Sequence, residues 1–228
     1  MSTFEELINK YADQFSKVVD FDSATDKLFS FDFTASNTEL TPEILGNTEV
    51  FSKWVTNKLA KNDALYGIGG YNEHRTIYSR STHFDSSEEP RRLHLGIDIW
   101  GPAETPIYNF YTAKVHSFKF NDNFGDYGAT IILQYELEGF TFFALYGHLS
   151  LASLENLYEG KPIAKGEKFA GFGIPAENGY WPPHLHFQLI LEVNGFKGDY
   201  PGVCQFSKRD IYLSNCPNPT KVLGLKGF

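Results

Sequence analysis

Residues 182–189 read PPHLHFQL. In a β-strand, alternate side chains share a face. His184, His186, Gln188 and Ile190 then point one way, and Leu185, Phe187, Leu189 and Leu191 point the other. The second face is apolar throughout and belongs against a core. The first carries two imidazoles one residue apart, at a depth where unpaired polar groups are costly. The run therefore reads as a buried strand that carries a site.

Two other stretches share this layout. LHLGIDIW, residues 93–100, places His94, Gly96, Asp98 and Trp100 on one face and Leu95, Ile97 and Ile99 on the other. Gly96 leaves space between an imidazole and a carboxylate. ALYGHLS, residues 144–150, adds His148, alternating with Tyr146, with Leu145 and Leu149 opposite. If these strands are neighbours, His94, Asp98, His184 and His186 converge with His148 nearby. Each histidine alone is compatible with ordinary hydrogen-bonded packing; together they describe a metal site. Two His and one carboxylate form a common zinc set with a fourth position open. The same three groups also make the iron(II) set of non-haem oxygenases. A neutral His beside such a metal can take a proton or support an oxyanion. His74, His83 and His116 have no comparable context.

The bulk composition agrees with a packed β-protein. The chain has 228 residues, 42% hydrophobic, 21% charged and 16% aromatic, with Phe and Tyr dominant. The net charge of −8 and the lack of a basic run argue against nucleic acid or an anionic membrane as partner. No stretch is long and apolar enough to span a bilayer. The N-terminal MSTFEELINKYADQF has no basic region followed by an apolar one, so it is not a signal peptide. The chain as written is expected in the cytoplasm, or in the periplasm or outside the cell if a leader is missing from it. Cys204 and Cys216 form no CxxC pair and are open to either a loop-closing disulfide or two buried free thiols.

Residues 1–70 read as a helical arm. Phe4, Leu7, Ile8, Tyr11, Phe15 and Val18 have helical spacing over residues 3–19, after a Ser2–Thr3 cap with acidic Glu5 and Glu6. A short turn and a second helix over 47–60 follow, with FSFDFTASN between the helices as a strand or extended loop. Residues 71–228 alternate short β-rich runs with Gly, Pro and Asn/Asp turns, as in a sandwich or open barrel. The expected strands include RTIYSR at 75–80, the three site runs, TPIYNF, AKVHSFKF, ATIILQYE and EKFAGFG. SLASLENL is expected to form a short Ser-capped helix.

The strings HLGIDIWGPAETPIY, YGHLS and PPHLHFQL, in this order, together with YEGKPIAKGEKFAGFG, resemble the M23 metallopeptidases, the LytM or lysostaphin-type family. The resemblance covers residues 90–192. It implies an antiparallel two-sheet β core with a groove, Zn2+ held by His94, Asp98 and His186, and His148 and His184 as the catalytic pair. It also implies an endopeptidase or amidase acting on short peptide links, with peptides or peptidoglycan fragments as partners, as in bacterial cell walls. Three positions depart from the family pattern. PAENGYWPP replaces the usual Gly/Ser/Thr-rich loop, Gln188 stands where an acidic residue is common, and Ala113 replaces a turn glycine. Tyr146, Tyr180 and Trp181 are candidate substrate contacts. Latent members block the metal with an N-terminal segment, which makes Asn72 and His74 candidate occluding residues. The competing readings are a metal-containing peptide or glycan binding module without catalysis, and a non-haem iron oxygenase.

Overall fold

The computed structural model describes residues 3–22, 24–85, 88–225 and 227–228. Its helices are α1 (Phe4–Tyr11), α2 (Pro42–Gly46), α3 (Thr48–Lys61) and α4 (Arg209–Asn215). Its strands are β1 (Leu28–Phe31), β2 (Tyr66–Gly69), β3 (Leu93–His94), β4 (Ile97–Trp100), β5 (Pro106–Tyr108) and β6 (Ala113–Asn121). They continue with β7 (Gly128–Leu137), β8 (Phe140–Leu149), β9 (Pro162–Ile163), β10 (Lys168–Gly171), β11 (His184–Ile190) and β12 (Val203–Cys204). The protein is mainly β, as its Phe- and Tyr-rich runs predict.

One eight-stranded sheet runs in the order β1-β2-β4-β11-β8-β7-β6-β9. Its neighbours are antiparallel except β1 and β2, which are parallel. The β7–β8 turn has positive φ at both Glu138 and Gly139, the backbone twist that tight hairpins favour. Two small ribbons, β5–β10 and β3–β12, complete the β-structure.

The sheet buries both faces. On one face, Ile97, Ile99, Leu185, Phe187, Leu189, Ile131 and Leu133 pack with Ile107 and Phe110 near β5, Ala170 and Phe172 near β10, and Leu7 and Ile8 of α1. On the other, Ile132, Leu145 and Ile190 meet Leu93, Leu95 and Cys204. Trp100 and Trp181 meet Phe31, Phe33, Phe51, Ile77 and Tyr78. The site lies on this second face.

Residues 1–70 contribute β1 and β2 to the main sheet and α3 to its cover. Thr3 caps α1 with a reciprocal Thr3–Glu6 box; the other half of the expected cap, Ser2, lies outside the described residues. The first helix ends sooner than its periodicity predicts. A 3-10 turn over Ala12–Gln14 follows. Then Ser16 N–H donates to Phe110 O (2.8 Å) and Tyr108 N–H donates to Val18 O (2.8 Å). Pairing with the β5 region holds this stretch out of the helix, and Val18 is buried from a bend. RTIYSR is not a strand: Ile77–Arg80 form a 3-10 turn whose Ile77 and Tyr78 are buried. SLASLENL also shortens to a 3-10 turn, Leu151–Leu154, without a side-chain cap from Ser150. Cys204 and Cys216 are both free and buried.

Candidate active site

β11 joins the two other site strands. His186 pairs with Asp98 on β4 and with Gly147 on β8. Strand alternation puts His184, His186 and Gln188 on the site face, with Leu185, Phe187 and Leu189 in the core behind them. LHLGIDIW is divided into β3 and β4, so Leu95 buries in a different cluster from Ile97 and Ile99. The space at Gly96 is filled by the His186 ring. A Cβ there would lie 2.8 Å from the His186 imidazole and 2.7 Å from Phe187 O.

His148 reaches the site by a different route. Gly147 and His148 stand opposite a register shift in β7, between Ala129 and Ile131. His148 adopts φ 63°. This bulge turns its ring out of the alternation and toward His184. Tyr146 stays in regular strand and therefore points into the core, where its hydroxyl meets that of Tyr135 at 2.7 Å. It does not share a face with His148.

His94, Asp98 and His186 form one buried group whose potential ligand atoms lie within 4.8 Å of one another. Their hydrogen bonds define which atoms face inward. His94 Nδ1 lies 2.8 Å from Gly70 O, so it carries the proton and leaves a lone pair on Nε2. Gln188 donates its amide N–H to Pro201 O and Cys216 Sγ. Its Oε1 must therefore accept from His186 Nε2–H (2.9 Å), which leaves a lone pair on His186 Nδ1. These lone pairs meet Asp98 Oδ1: His94 Nε2 at 3.2 Å and His186 Nδ1 at 3.0 Å. The two ring nitrogens lie 2.9 Å apart. Three acceptors thus converge with no proton assigned between them. A divalent cation with N/O ligands matches this donor set. The amide oxygen of Gln188 takes the orienting role that an acidic side chain plays elsewhere.

The electrostatics agree. Burial opposes ionisation of Asp98, but the buried Arg75 guanidinium on its other oxygen outweighs it and holds the carboxyl well below its ordinary range. Burial, assisted by Arg75 and opposed by Asp98, lowers His94 to about 4. Arg75, wholly buried, donates to Asp98 Oδ2 at 2.5 Å.

His148 and His184 form a second group. Their rings lie 4.1 Å apart, and His184 stacks on Trp100 at 3.8 Å. His148 Nδ1–H donates to Asn178 O (2.8 Å) and His184 Nδ1–H to Pro182 O (2.7 Å). Each therefore keeps its Nε2 lone pair for the cavity. Burial lowers His148 to about 4 and pushes His184 well below 6.5, so both rings are neutral at pH 7. The PAENGYWPP loop supplies both carbonyls. It is fixed against the turn before β7, where a Cβ at Gly179 would fall 1.9 Å from Asp126 O.

These side chains open onto a cavity of about 210 Å³ walled by Tyr78, Tyr127, Trp181 and Gly202 among others. Trp181 is a buried wall residue. Tyr180 is 42% exposed and lies against Phe124, outside the lining. Asn72 and His74 are exposed and do not line the cavity. His74 packs on Phe206. Sequence reasoning passed over Tyr127, Arg75 and His83. Tyr127 and His83 line the cavity, and Arg75 binds Asp98. Gly147 and Gly202 make room for Tyr127, because a Cβ at either would strike its ring or hydroxyl.

Residues 92–197 match the family model of Peptidase family M23. No curated protein matches the sequence. Among solved structures, the chain is similar to a zinc-containing peptidase from Vibrio cholerae, 24% identical with a TM-score of 0.35. That match covers 43% of this chain and 27% of the other. It is similar to the catalytic domain of the prophage-encoded M23 protein EnpA from Enterococcus faecalis, 24% identical, covering 48% and 79%, TM-score 0.37. It is also similar to the catalytic domain of the antimicrobial peptidase lysostaphin from Staphylococcus simulans, 22% identical, covering 71% and 96%, TM-score 0.42. Among the described residues, no helix is long and apolar enough to cross a membrane.

Proposed function

We propose that the protein is a zinc-dependent endopeptidase or amidase that hydrolyses short peptide links, with peptidoglycan-type peptides as its substrate class. The observation that carries this reading is the convergence of three acceptor atoms, His94 Nε2, Asp98 Oδ1 and His186 Nδ1, beside two neutral imidazoles. The peptidase family match over residues 92–197 supports the same class. His94, Asp98 and His186 would hold the metal. When bound, zinc supplies Lewis acidity, polarising a carbonyl and making a water acidic near neutral pH.

The chain's own residues do the rest. Trp181 and Tyr78 wall the cavity and would shield a bound peptide segment from water. His148 and His184 each offer an Nε2 lone pair and can take a proton. Neither offers an Nε2–H to an oxyanion until it has taken one, because the Nδ1–H of each is already given to a carbonyl. The ring that accepts the proton thus becomes the hydrogen-bond donor of the next step.

The test incubates zinc-loaded protein with short glycine-containing peptides and identifies products by mass spectrometry, for the natural chain and for His184→Ala. Cleavage by the natural chain that falls about 10²–10⁴-fold in the variant, with metal retained, is the expected result. Full activity in His184→Ala contradicts the assignment of the pair. A metal-loaded protein that binds peptide without cleaving it establishes the binding-module reading instead.

A further inference from the structure

Asp98 has two carboxylate oxygens, and they face different partners. Oδ1 faces the lone pairs of His94 and His186. Oδ2 accepts from Arg75 Nη1 at 2.5 Å. Arg75 has no solvent exposure. Its Nε donates to Glu73 Oε2 (2.7 Å), its Nη1 also to Tyr78 OH (3.2 Å), and its Nη2 to Gly70 O (3.1 Å). Every nitrogen of the fork is engaged. Room for it comes from Gly69, where a Cβ would fall 2.7 Å from Arg75 Nη2.

The same short stretch holds the other β3–β4 ligand. Gly70 O accepts His94 Nδ1–H, the bond that fixes its tautomer. Asn72 N–H donates to His94 O (2.9 Å), His94 N–H to Glu73 O (3.0 Å) and Arg75 N–H to Arg92 O (2.8 Å). Residues 70–75 thus clasp His94 and Asp98 from behind, and they lie before the segment that matches the family model.

We infer that Arg75 is a positioning residue of the metal site, and that it restricts Asp98 to one ligating oxygen. A free carboxylate can bind a cation through one oxygen or two. With Oδ2 taken by a buried guanidinium, Asp98 contributes Oδ1 alone, and a further coordination position stays open beside the three protein donors. The fork geometry matters as much as the charge, because Arg75 spans Asp98, Glu73, Tyr78 and Gly70 at once. A lysine ammonium keeps the charge but cannot span these four partners. The segment ahead of the family-matched residues therefore completes the metal site, and the Asn72–His74 stretch serves it through backbone bonds.

This inference rests on the metal reading above, and its test separates the two. The full-length protein, freed of metal, is titrated with Co2+ while its visible absorption is recorded, for the natural chain, Arg75→Met and Arg75→Lys. Apoprotein melting is followed in parallel. The natural chain binds one Co2+ with the intense absorption of a four-coordinate site. Arg75→Met binds roughly 10–100-fold more weakly, as expected when a partner that orients a ligand is lost. At saturation its absorption is weaker, because Asp98 is released to bind through both oxygens. Arg75→Lys falls between the two and carries the test if Arg75→Met does not fold. Natural affinity and an unchanged spectrum in the folded variants overturn the role of Arg75 and leave the metal reading intact. A natural chain that binds no Co2+ overturns both.

Discussion

The site's four histidines fall into two pairs with opposite surroundings. His94 and His186 turn their lone pairs toward a carboxylate and have their other nitrogens held by Gly70 O and Gln188 Oε1. His148 and His184 give their Nδ1–H to loop carbonyls and, among the described residues, hydrogen-bond to no carboxylate. Burial keeps His94, His148 and His184 below the ordinary range, yet the consequences differ. The first pair, with Asp98, builds a fixed concentration of acceptors that a cation would satisfy. The second pair is neutral, stacked and free at Nε2, which suits it to exchange protons. The same residue type thus stands in two settings, and the difference lies in what stands on the far side of each ring.

The largest expected effect comes from removing the anion that defines the first pair. Asp98→Ala leaves the buried Arg75 short of one carboxylate. It should cost about 3 kcal/mol of apoprotein stability, because an uncompensated buried charge remains. Denaturant titration of the two apoproteins measures it. A variant as stable as the natural chain would mean that Glu73 alone neutralises Arg75.

The second pair should set an acid limit. His148 titrates at 6.5 when unfolded and about 4 when folded. Between these values the unfolded chain binds the extra proton, so stability rises with pH and is lost as pH falls through that window. The full contribution is on the order of 3 kcal/mol, present above about pH 6.5. Metal-free His148→Gln should therefore lose less melting temperature than the natural chain when the pH is lowered from about 7.5 to about 5. Equal losses would remove His148 from the acid response.

A smaller effect tests how closely the pairs are packed. Gly96→Ala places a methyl against the His186 ring and Phe187 O. It should destabilise the protein by about 1–3 kcal/mol by overpacking and weaken metal binding together with it. Loss of stability with metal affinity unchanged would show that the His186 ring can yield without moving its Nδ1.

Much of this arrangement was legible in sequence because β11 and β4 are regular. A period of two, with apolar Leu185, Phe187 and Leu189 opposite, places His184 and His186 without further information. His148 was expected near His184 and is placed there, but not by the same rule, since a bulge, not alternation, aims it. That bulge misassigned Tyr146, which regular strand keeps in the core. Gln188 was visible as a departure from the acidic pattern; its function emerged from Cys216 and Pro201, which occupy its N–H groups from distant chain. Arg75 was hidden for a similar reason. Its run reads as an alternating strand, and the 3-10 turn at Ile77–Arg80 follows from tertiary burial of Ile77 and Tyr78.

The central claim is that His94 Nε2, Asp98 Oδ1 and His186 Nδ1 converge because a metal belongs among them. The most direct test is the metal content per chain, by elemental mass spectrometry, of protein purified without a metal-affinity tag. Close to one zinc per chain is expected, and loss of that zinc in His186→Ala. Iron in its place would favour the oxygenase chemistry of the same ligand set. No bound metal, even after incubation with zinc, would contradict the account and leave the converging acceptors without their cation.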